Sequence, residues 1–315
     1  MRASDLLLSL GFISLVACTG STKATQYAPG GTMPGHDLPG KPFDSWQVDF
    51  TKPVPAAVGS NATYDASVIH PMNYSISERD TRLNAWWSKT HVSELCFPTA
   101  FANALIYLYH YHVPTFGSLK LAGLSGDKTK VDPAQLVESL LVPCHTNLNT
   151  GTDLGDATTC IAQTLTKSGY QLGDAGVITL KTFAATPALP LQSRAPTWAD
   201  IRSAVDASEV VILEIGWYQF DSASSTWQRK GGHYVGVYGY DYMNAWGSSQ
   251  AVLRVLNPEM KYDNDGQHRI DDRVTMVQPS GTSYPPNAAF VLLGNGFSNP
   301  SKPGVVESVI HFVPN

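Results

Sequence analysis

The sequence is poor in charge and in long apolar runs. Charged residues make up 15% of the 315 positions, the formal net charge is −5, and lysine and arginine form no block. The chain therefore lacks the basic patch that nucleic-acid binding requires. No apolar segment is long enough to cross a bilayer as part of a mature protein. With 43% hydrophobic residues, the composition is that of an ordinary globular protein.

The N-terminus has the pattern of an export signal. Arg2 precedes an apolar run that is too short for a transmembrane helix and that ends in Ala17-Cys18. Leu15 to Cys18 resembles the bacterial lipobox, which implies a lipoprotein-type signal over residues 1–18 and lipid modification of Cys18. An outer-membrane or cell-surface anchor would follow, with the domain in the periplasm or outside the cell. An ordinary secretory signal cleaved nearby is the alternative.

The rest of the chain divides into a tether and a domain. Residues 19–60 are rich in glycine, proline, serine and threonine, which predicts a flexible tether, although an inhibitory pro-segment stays open. Residues 61–315 form the predicted domain.

Cysteine is scarce, with four residues in the chain. Cys144 and Cys160 are a candidate disulfide pair for an oxidising compartment. A metal site that combines these cysteines with His145 is disfavoured, because no second pair of ligands has the required spacing. The acidic turn 263–266 lacks the later ligand of a calcium loop and predicts a hairpin turn. The sequence thus predicts no metal site and no cofactor.

The segment Cys96 to Tyr107 places a single cysteine at the start of an apolar helix. Pro98 suits a first helical turn, where its missing N–H would have no partner. Phe97, Phe101 and Leu105 recur at helical spacing, which predicts a buried face. Cys96 is therefore expected at the positive helix end, where the macrodipole lowers the pKa of a thiol and favours the reactive thiolate. A buried structural cysteine is the alternative.

Two later segments supply partners for such a thiol. His233 follows two glycines and opens an alternating apolar run, so we expect it at the start or edge of a strand. Asn257-Pro258 ends a second run, because proline does not continue the interior of a sheet. In thiol hydrolases a histidine takes the proton of the cysteine and a third residue orients the imidazole. Cys96, His233 and Asn257 are the candidates for these three roles.

The remaining pattern predicts an α+β fold, with helices first and antiparallel strands second. Proline and glycine signals place helices at 134–141, 156–168 and 198–205. Apolar runs predict strands at 210–215, 233–240, 252–256, 289–293 and 305–312. The segment 184–196 contains three prolines and predicts a loop over the surface.

The chain from about Thr90 to Pro258 resembles the papain-like cysteine peptidases, and within them the branch related to bacteriocin-leader (double-glycine) peptidases. The matching segments are 96–100, 151–157, the helix–strand pair 197–217, 232–235 and 256–258. The resemblance implies a papain-like two-lobe fold, with the nucleophile on a helix N-terminus in an N-terminal helical lobe and a C-terminal antiparallel sheet lobe. That branch often has aspartate where Asn257 stands, and both residues accept an imidazole N–H.

One departure from the family concerns the oxyanion. Members usually place glutamine six residues before the nucleophile, where this chain has Thr90. Loss of one oxyanion donor typically costs ~100- to 1000-fold in rate. Thr90, His91 and Ser93 are therefore candidate substitutes for the missing oxyanion donor. Otherwise the backbone N–H of Cys96 provides more of the oxyanion stabilisation, or activity has been lost.

Together these patterns predict an exported thiol hydrolase that cuts peptide or isopeptide bonds. A cell-wall peptide amidase, a transglutaminase-type acyl transferase and an inactive binding lipoprotein stay open. The expected partner is a polypeptide or peptidoglycan-peptide substrate, with no nucleic acid, and with membrane contact only through the N-terminal lipid anchor.

Overall fold

A computed structural model describes most of the chain beyond residue 93. The described ranges are 94–111, 121–124, 131–147, 149–183, 187–207, 209–245, 248–258, 271–277, 290–293 and 302–314, with residues 76, 78, 83, 284, 285, 288 and 297. The predicted signal over 1–18 with Cys18, the tether over 19–60 and the hairpin turn at 263–266 lie outside these residues.

Four helices occur within the described residues. They are α1 (Cys96–Tyr111), α2 (Pro133–Leu141), α3 (Leu154–Lys167) and α4 (Trp198–Asp206). All four confirm a predicted helix; α3 begins two residues earlier than expected.

Local capping explains where these helices begin and end. The Asp132 side chain accepts a hydrogen bond from Gln135 N at 3.1 Å and so caps α2, with Pro133 following in the first turn. Thr197 and Asp200 form a reciprocal capping box at the start of α4. Gly169 follows α3 with a φ of +88°, a conformation that glycine adopts without strain.

One mixed sheet carries the rest of the fold. Its strands are β1 (Leu172–Thr179), β2 (Leu191–Ser193), β3 (Val210–Asp221), β4 (Thr226–Ala245), β5 (Ser248–Leu256), β6 (Asp271–Val277), β7 (Val291–Leu293) and β8 (Gly304–Pro314). Their order is β2-β1-β8-β3-β4-β5-β6-β7, and β7 also pairs with β8. Strands β8 and β3 to β7 therefore close into a ring. All pairings among the described strands are antiparallel except β1 with β2.

The α+β class is confirmed, but three strands were not anticipated. The sequence of β1 contains glycine and aspartate in its first half and does not alternate. β2 is a fully exposed three-residue strand within the predicted loop 184–196, and it is defined by its parallel pairing with β1. β6 follows the segment predicted as a hairpin turn. In each case cross-strand pairing supplies the order that the local sequence does not signal.

Two apolar cores lie on the two faces of the sheet. The first contains the inner faces of α1, α2 and α3 together with sheet residues such as Ile212, Tyr234 and Phe312. The second contains the apolar face of α4 with Val211 and Leu213 among others. Consecutive residues of β3 therefore enter different cores, as the period-two geometry of a strand requires.

The predicted disulfide between Cys144 and Cys160 is present, and it ties the end of α2 to α3. Its Cα–Cα distance is 4.5 Å and its partners are 16 residues apart. On the chain-entropy model such a bond contributes about 3 kcal/mol to stability. Among the described residues, no helix is both long enough and apolar enough to span a membrane.

Candidate functional site

The start of α1 packs against the middle of β4. The rings of Phe97 and Tyr234 meet edge to face, with their centroids 5.1 Å apart. Leu95 O accepts the first helical hydrogen bond from Thr99 N at 3.0 Å. Phe97 follows Cys96 and Tyr234 follows His233, so this contact joins the segment that carries Cys96 to the strand that carries His233. Consecutive side chains of a strand point to opposite faces, so the His233 imidazole lies on the face of β4 opposite to Tyr234, with Trp217 and Phe297.

Cys96 is closed off within this region. Cys96 is 1% exposed and lies in the first apolar core. Its sulfur is in a disulfide, and because Cys144 and Cys160 bind each other, its partner lies outside the described residues. The buried-cysteine alternative thus describes this form of the chain, and any reaction at the sulfur requires the bond to be reduced first.

The sequence predicted His233 at the start or edge of a strand, and this prediction is wrong. His233 lies in the interior of a long strand. β4 begins seven residues earlier, at Thr226, and His233 pairs with Ile215 of β3. The reason is that Gly231 and Gly232 do not interrupt the ladder but pair with Trp217 and Gly216. The imidazole is fully buried, with 0% of the residue exposed.

His233 and Asn257 are directly hydrogen-bonded. The imidazole Nε2 lies 2.7 Å from Asn257 Oδ1, and since that oxygen only accepts, Nε2–H is the donor. Leu256, the last residue of β5, pairs with Gly236 of β4, which places Asn257 beside the histidine. In the neutral ring this bond makes Nδ1 the basic nitrogen, and Nδ1 is buried as well.

Aromatic side chains cover the imidazole, and sequence reasoning did not predict their role. Trp217 stacks on His233 with centroids 5.7 Å apart and planes 24° apart. Its Nε1 donates to Phe297 O at 2.9 Å, and the Phe297 ring lies 6.4 Å from the imidazole. These rings keep water away from the His233–Asn257 bond and so strengthen it. Trp217 meets His233 through the pairing of β3 with β4, and Phe297 reaches it from the segment between β7 and β8; no local pattern encodes either contact.

The predicted oxyanion residues Thr90, His91 and Ser93 lie outside the described residues. Glu94, next to them in the chain, is described and is 5% exposed. Burial raises the pKa of the Glu94 carboxyl to about 8, so this group is mostly protonated at pH 7. A neutral carboxylic acid can donate a hydrogen bond. Sequence reasoning passed over Glu94 because an isolated glutamate is expected to be ionised.

A buried network of charges lies beside the same strands. Glu307 accepts hydrogen bonds from Arg229 Nε and Nη2, both at 2.9 Å, and one from Tyr218 Oη at 2.6 Å. Glu214 pairs with Lys181 and accepts from Ser308 Oγ at 2.7 Å. Burial alone would raise the pKa of Glu307, but the Arg229 guanidinium, with Lys181 and Tyr218, holds it below its usual range.

Glycines make room for this network. A Cβ at Gly216 would lie 2.2 Å from Glu307 Oε1, and a Cβ at Gly232 would lie 2.2 Å from an Arg229 nitrogen. Because Gly216 and Gly232 face each other across β3 and β4, the ion pair passes directly over them. The glycine before His233 therefore has a packing reason that is independent of catalysis.

Comparisons with known proteins leave the family open: no protein-family model matches the chain, and no curated protein matches it significantly.

Proposed function

We propose that the chain is an exported thiol hydrolase of the papain-like kind, with Cys96 as nucleophile, His233 as base and Asn257 as orienting residue. The observation that carries the proposal is the bond from His233 Nε2–H to Asn257 Oδ1. It fixes the tautomer in which Nδ1 can take a proton, as the Cys-His-Asn mechanism requires. The helix start beside β4 and the two-lobe arrangement of the family are part of the same proposal.

The proposed reaction runs through an acyl-enzyme. Nδ1 of His233 takes the proton of the Cys96 thiol, and the sulfur attacks the carbonyl carbon of a peptide or isopeptide bond. The imidazolium returns the proton to the leaving amine as the C–N bond breaks. Water, deprotonated by the same nitrogen, then hydrolyses the thioester and restores the thiol. Asn257 is uncharged, so it orients the ring throughout without holding a proton itself.

The state of Cys96 sets a condition on this chemistry. A disulfide sulfur has no proton to give and cannot attack, so a thiol reductant must first convert the disulfide of Cys96 into a thiol. A path to the buried sulfur must open as well. We therefore propose that the oxidised chain is latent and that hydrolysis begins after reduction, with the sulfur then reaching His233 Nδ1.

The setting of the reaction belongs to the same proposal. Lipid modification of Cys18 would hold the domain at the outer membrane or cell surface, facing a polypeptide or a peptidoglycan peptide. Because Cys18 is the one cysteine left besides Cys96 and the pair of Cys144 and Cys160, this lipid-modified form is the one in which Cys96 carries a thiol. Glu94 is an oxyanion donor to test beside Thr90, His91 and Ser93, because its carboxyl is mostly protonated at pH 7.

Alkylation of the full chain with iodoacetamide at pH 7 tests the proposal. After treatment with dithiothreitol, mass spectrometry of the peptides compares Cys96 with Cys144 and Cys160, which serve as internal controls. We expect Cys96 to react faster than free cysteine, and His233→Ala to remove that advantage. A Cys96 thiol that reacts no faster than free cysteine contradicts the proposal.

Substrate digestion separates the hydrolase classes. Reduced protein is incubated with casein and with purified peptidoglycan, and Cys96→Ala is the control in both. Cleavage of casein favours a peptidase, and cleavage of peptidoglycan peptides favours a cell-wall amidase. Equal cleavage by Cys96→Ala would mean that the activity does not come from this site.

The buried disulfide-bonded sulfur of Cys96 favours one other candidate, a binding protein without catalysis. In that case Cys96 stabilises the fold and the His233–Asn257 bond is structural. Reduced wild-type protein would then cleave neither substrate, and Cys96→Ala would lower thermal stability without changing any binding that the wild type shows.

A further inference from the structure

A second group of chemically active side chains lies on the sheet, away from Cys96 and His233. One imidazole nitrogen of His311 and one carboxylate oxygen each of Asp174 and Glu209 all lie within 4.8 Å of one another. The His311 Nδ1 and Glu209 Oε2 atoms are 2.6 Å apart. The sequence analysis predicted no metal site, because these three residues come from distant parts of the chain.

The strand register explains why the three side chains converge. His311 of β8 pairs with Gly176 of β1 on one side and with Val211 of β3 on the other. Asp174 and Glu209 each precede one of these partners by two positions. Side chains two positions apart along a strand share a face, and Glu209 directly precedes β3, so it lies on the face of Val211. Asp174 lies where the register of β1 against β8 shifts, between Leu172 and Ala175, and this irregularity turns its carboxylate towards the other two groups.

Gly176 leaves the space that the imidazole fills. A Cβ at this position would lie 2.7 Å from His311 Nε2 and 3.4 Å from Pro190 O. The ring is thus held closely against the backbone of β1, with its side chain 14% exposed. A ligand group on such a rigid support loses little conformational entropy when it binds.

Within the part of the chain that the structure describes, no permanent cation balances the charge of the cluster. Within the described residues, no lysine or arginine forms an ion pair with Asp174 or Glu209. Glu209 is 8% exposed, so its carboxylate is largely removed from water. A buried carboxylate usually has a cationic partner or a metal. The network of Glu214 and Glu307, which has both Lys181 and Arg229, shows the usual arrangement on the same sheet.

We propose that Asp174, Glu209 and His311 bind a divalent transition-metal ion of the zinc type. One imidazole nitrogen and two carboxylate oxygens form a ligand set that suits Zn²⁺, and zinc sites with three protein ligands complete their coordination with water. Asp174 is exposed, so the ion has a path from solvent.

Calorimetric titration of the full chain with zinc chloride tests the proposal. The protein is first treated with EDTA and kept free of reductant, so that the disulfide-bonded cysteines cannot supply thiolate ligands. We expect one zinc per chain with a dissociation constant in the micromolar range or below. His311→Gln is expected to weaken binding by ~100-fold or more, and Asp174→Asn by ~10- to 100-fold.

The chain offers a matched control in a second histidine–carboxylate pair. His145 Nδ1 lies 2.7 Å from Asp156 Oδ1, but no third ligand stands beside this pair among the described residues. His145→Asn should therefore leave zinc affinity unchanged; asparagine tolerates the positive φ of this position.

Two results would overturn the proposal. One is a wild-type chain that takes up no zinc at ~1 mM, where even weak sites with millimolar constants are half filled. The other is equal affinity in the wild type, Asp174→Asn and His311→Gln, which would leave the pair of His311 and Glu209 as a structural ion pair. Asp174 is exposed, so its variant keeps the test valid if His311→Gln fails to fold, which circular dichroism would reveal.

Discussion

Two histidines of this sheet have hydrogen-bond partners that differ in charge. His233 donates to the amide of Asn257 and is fully buried between aromatic rings. His311 lies against the carboxylate of Glu209, with a second carboxylate from Asp174 close by. An amide orients an imidazole without adding charge, whereas two carboxylates add negative charge that a cation can neutralise.

The difference separates two kinds of chemistry that the same side chain can perform. A neutral, oriented ring in a dry setting suits proton transfer, because Nδ1 stays available as a base. A ring with two carboxylates suits cation binding, because three ligand atoms already converge. The two sites should therefore respond independently to substitution, and the predictions below test that independence.

The largest effect is expected from substitution of the proposed nucleophile or the proposed base. Cys96→Ala and His233→Ala should each lower the hydrolytic rate of the reduced protein on the order of 10⁴- to 10⁶-fold, because such groups act as a unit. Both variants should bind zinc like the wild type in calorimetry. His311→Gln is the converse control, with full hydrolysis and lost zinc binding; loss of both functions in any one variant would contradict the comparison.

A smaller loss of rate is expected from the orienting residue. Asn257→Ala removes the acceptor of His233 Nε2–H, so the ring loses its tautomer and orientation, and kcat should fall on the order of 100-fold or more. Asn257→Asp keeps an acceptor and should retain more activity than Asn257→Ala. Equal rates for the two variants, measured with saturating substrate, would show that the hydrogen bond does not serve catalysis.

The ion pairs of Glu307 with Arg229 and Lys181 predict a pH-dependent loss of stability. Glu307→Gln leaves Arg229 and Lys181 with less negative charge and should lower the free energy of unfolding by about 2–3 kcal/mol. This lies below the ~3–5 kcal/mol of fully buried pairs, because both cations are about a third exposed.

The direction of the pH dependence follows from the lowered pKa of Glu307. Its ionised form stabilises the fold at pH values above the unfolded pKa of about 4.3, and this stabilisation is lost as the pH falls through the lower folded value. Urea unfolding of wild type and Glu307→Gln between pH 3 and pH 7 should therefore give curves that converge at the acidic end. A constant difference over this range would show that packing, not charge, causes the loss.

Gly176→Ala should disturb His311 alone. The added Cβ would lie 2.7 Å from the imidazole Nε2, so the ring must move, at a cost of about 1–2 kcal/mol in stability. Zinc affinity should fall as the ring leaves its position, while hydrolysis stays unchanged. Gly169→Ala provides a matched control, because a Cβ there meets no atom within 4 Å, although its positive φ carries a strain cost of its own.

The smallest effect is expected at Tyr234. Its hydroxyl is buried without a hydrogen-bond partner among the described residues, and burial raises its pKa well above the ordinary value. Tyr234→Phe keeps the ring contact with Phe97 and removes this hydroxyl, so stability should rise by about 1 kcal/mol. An unchanged or lowered melting temperature would indicate that the hydroxyl has a partner in the native protein.

The sequence alone predicted the four helices, and it singled out His233 and Asn257, which the structure joins by a hydrogen bond. Asp132 and the Thr197–Asp200 capping box act over three or four residues, so a few consecutive residues of the sequence are enough to predict the start of each helix. Asn257 followed by proline marks the end of β5 in the same way. The pairing of Cys144 with Cys160, which the structure confirms, was predicted because Cys18 and Cys96 were assigned to other roles.

The tertiary structure alone decided the rest. Trp217 meets His233, and Asp174 meets Glu209 and His311, because of strand pairing across the sheet. The short strand β2 and the closure of β7 onto β8 have the same origin. Strand register depends on burying the whole apolar face of each strand at once, so it is set by contacts between residues that are far apart in the sequence. Capping and helical spacing, in contrast, depend on neighbours in the chain, and that is why the sequence reveals them.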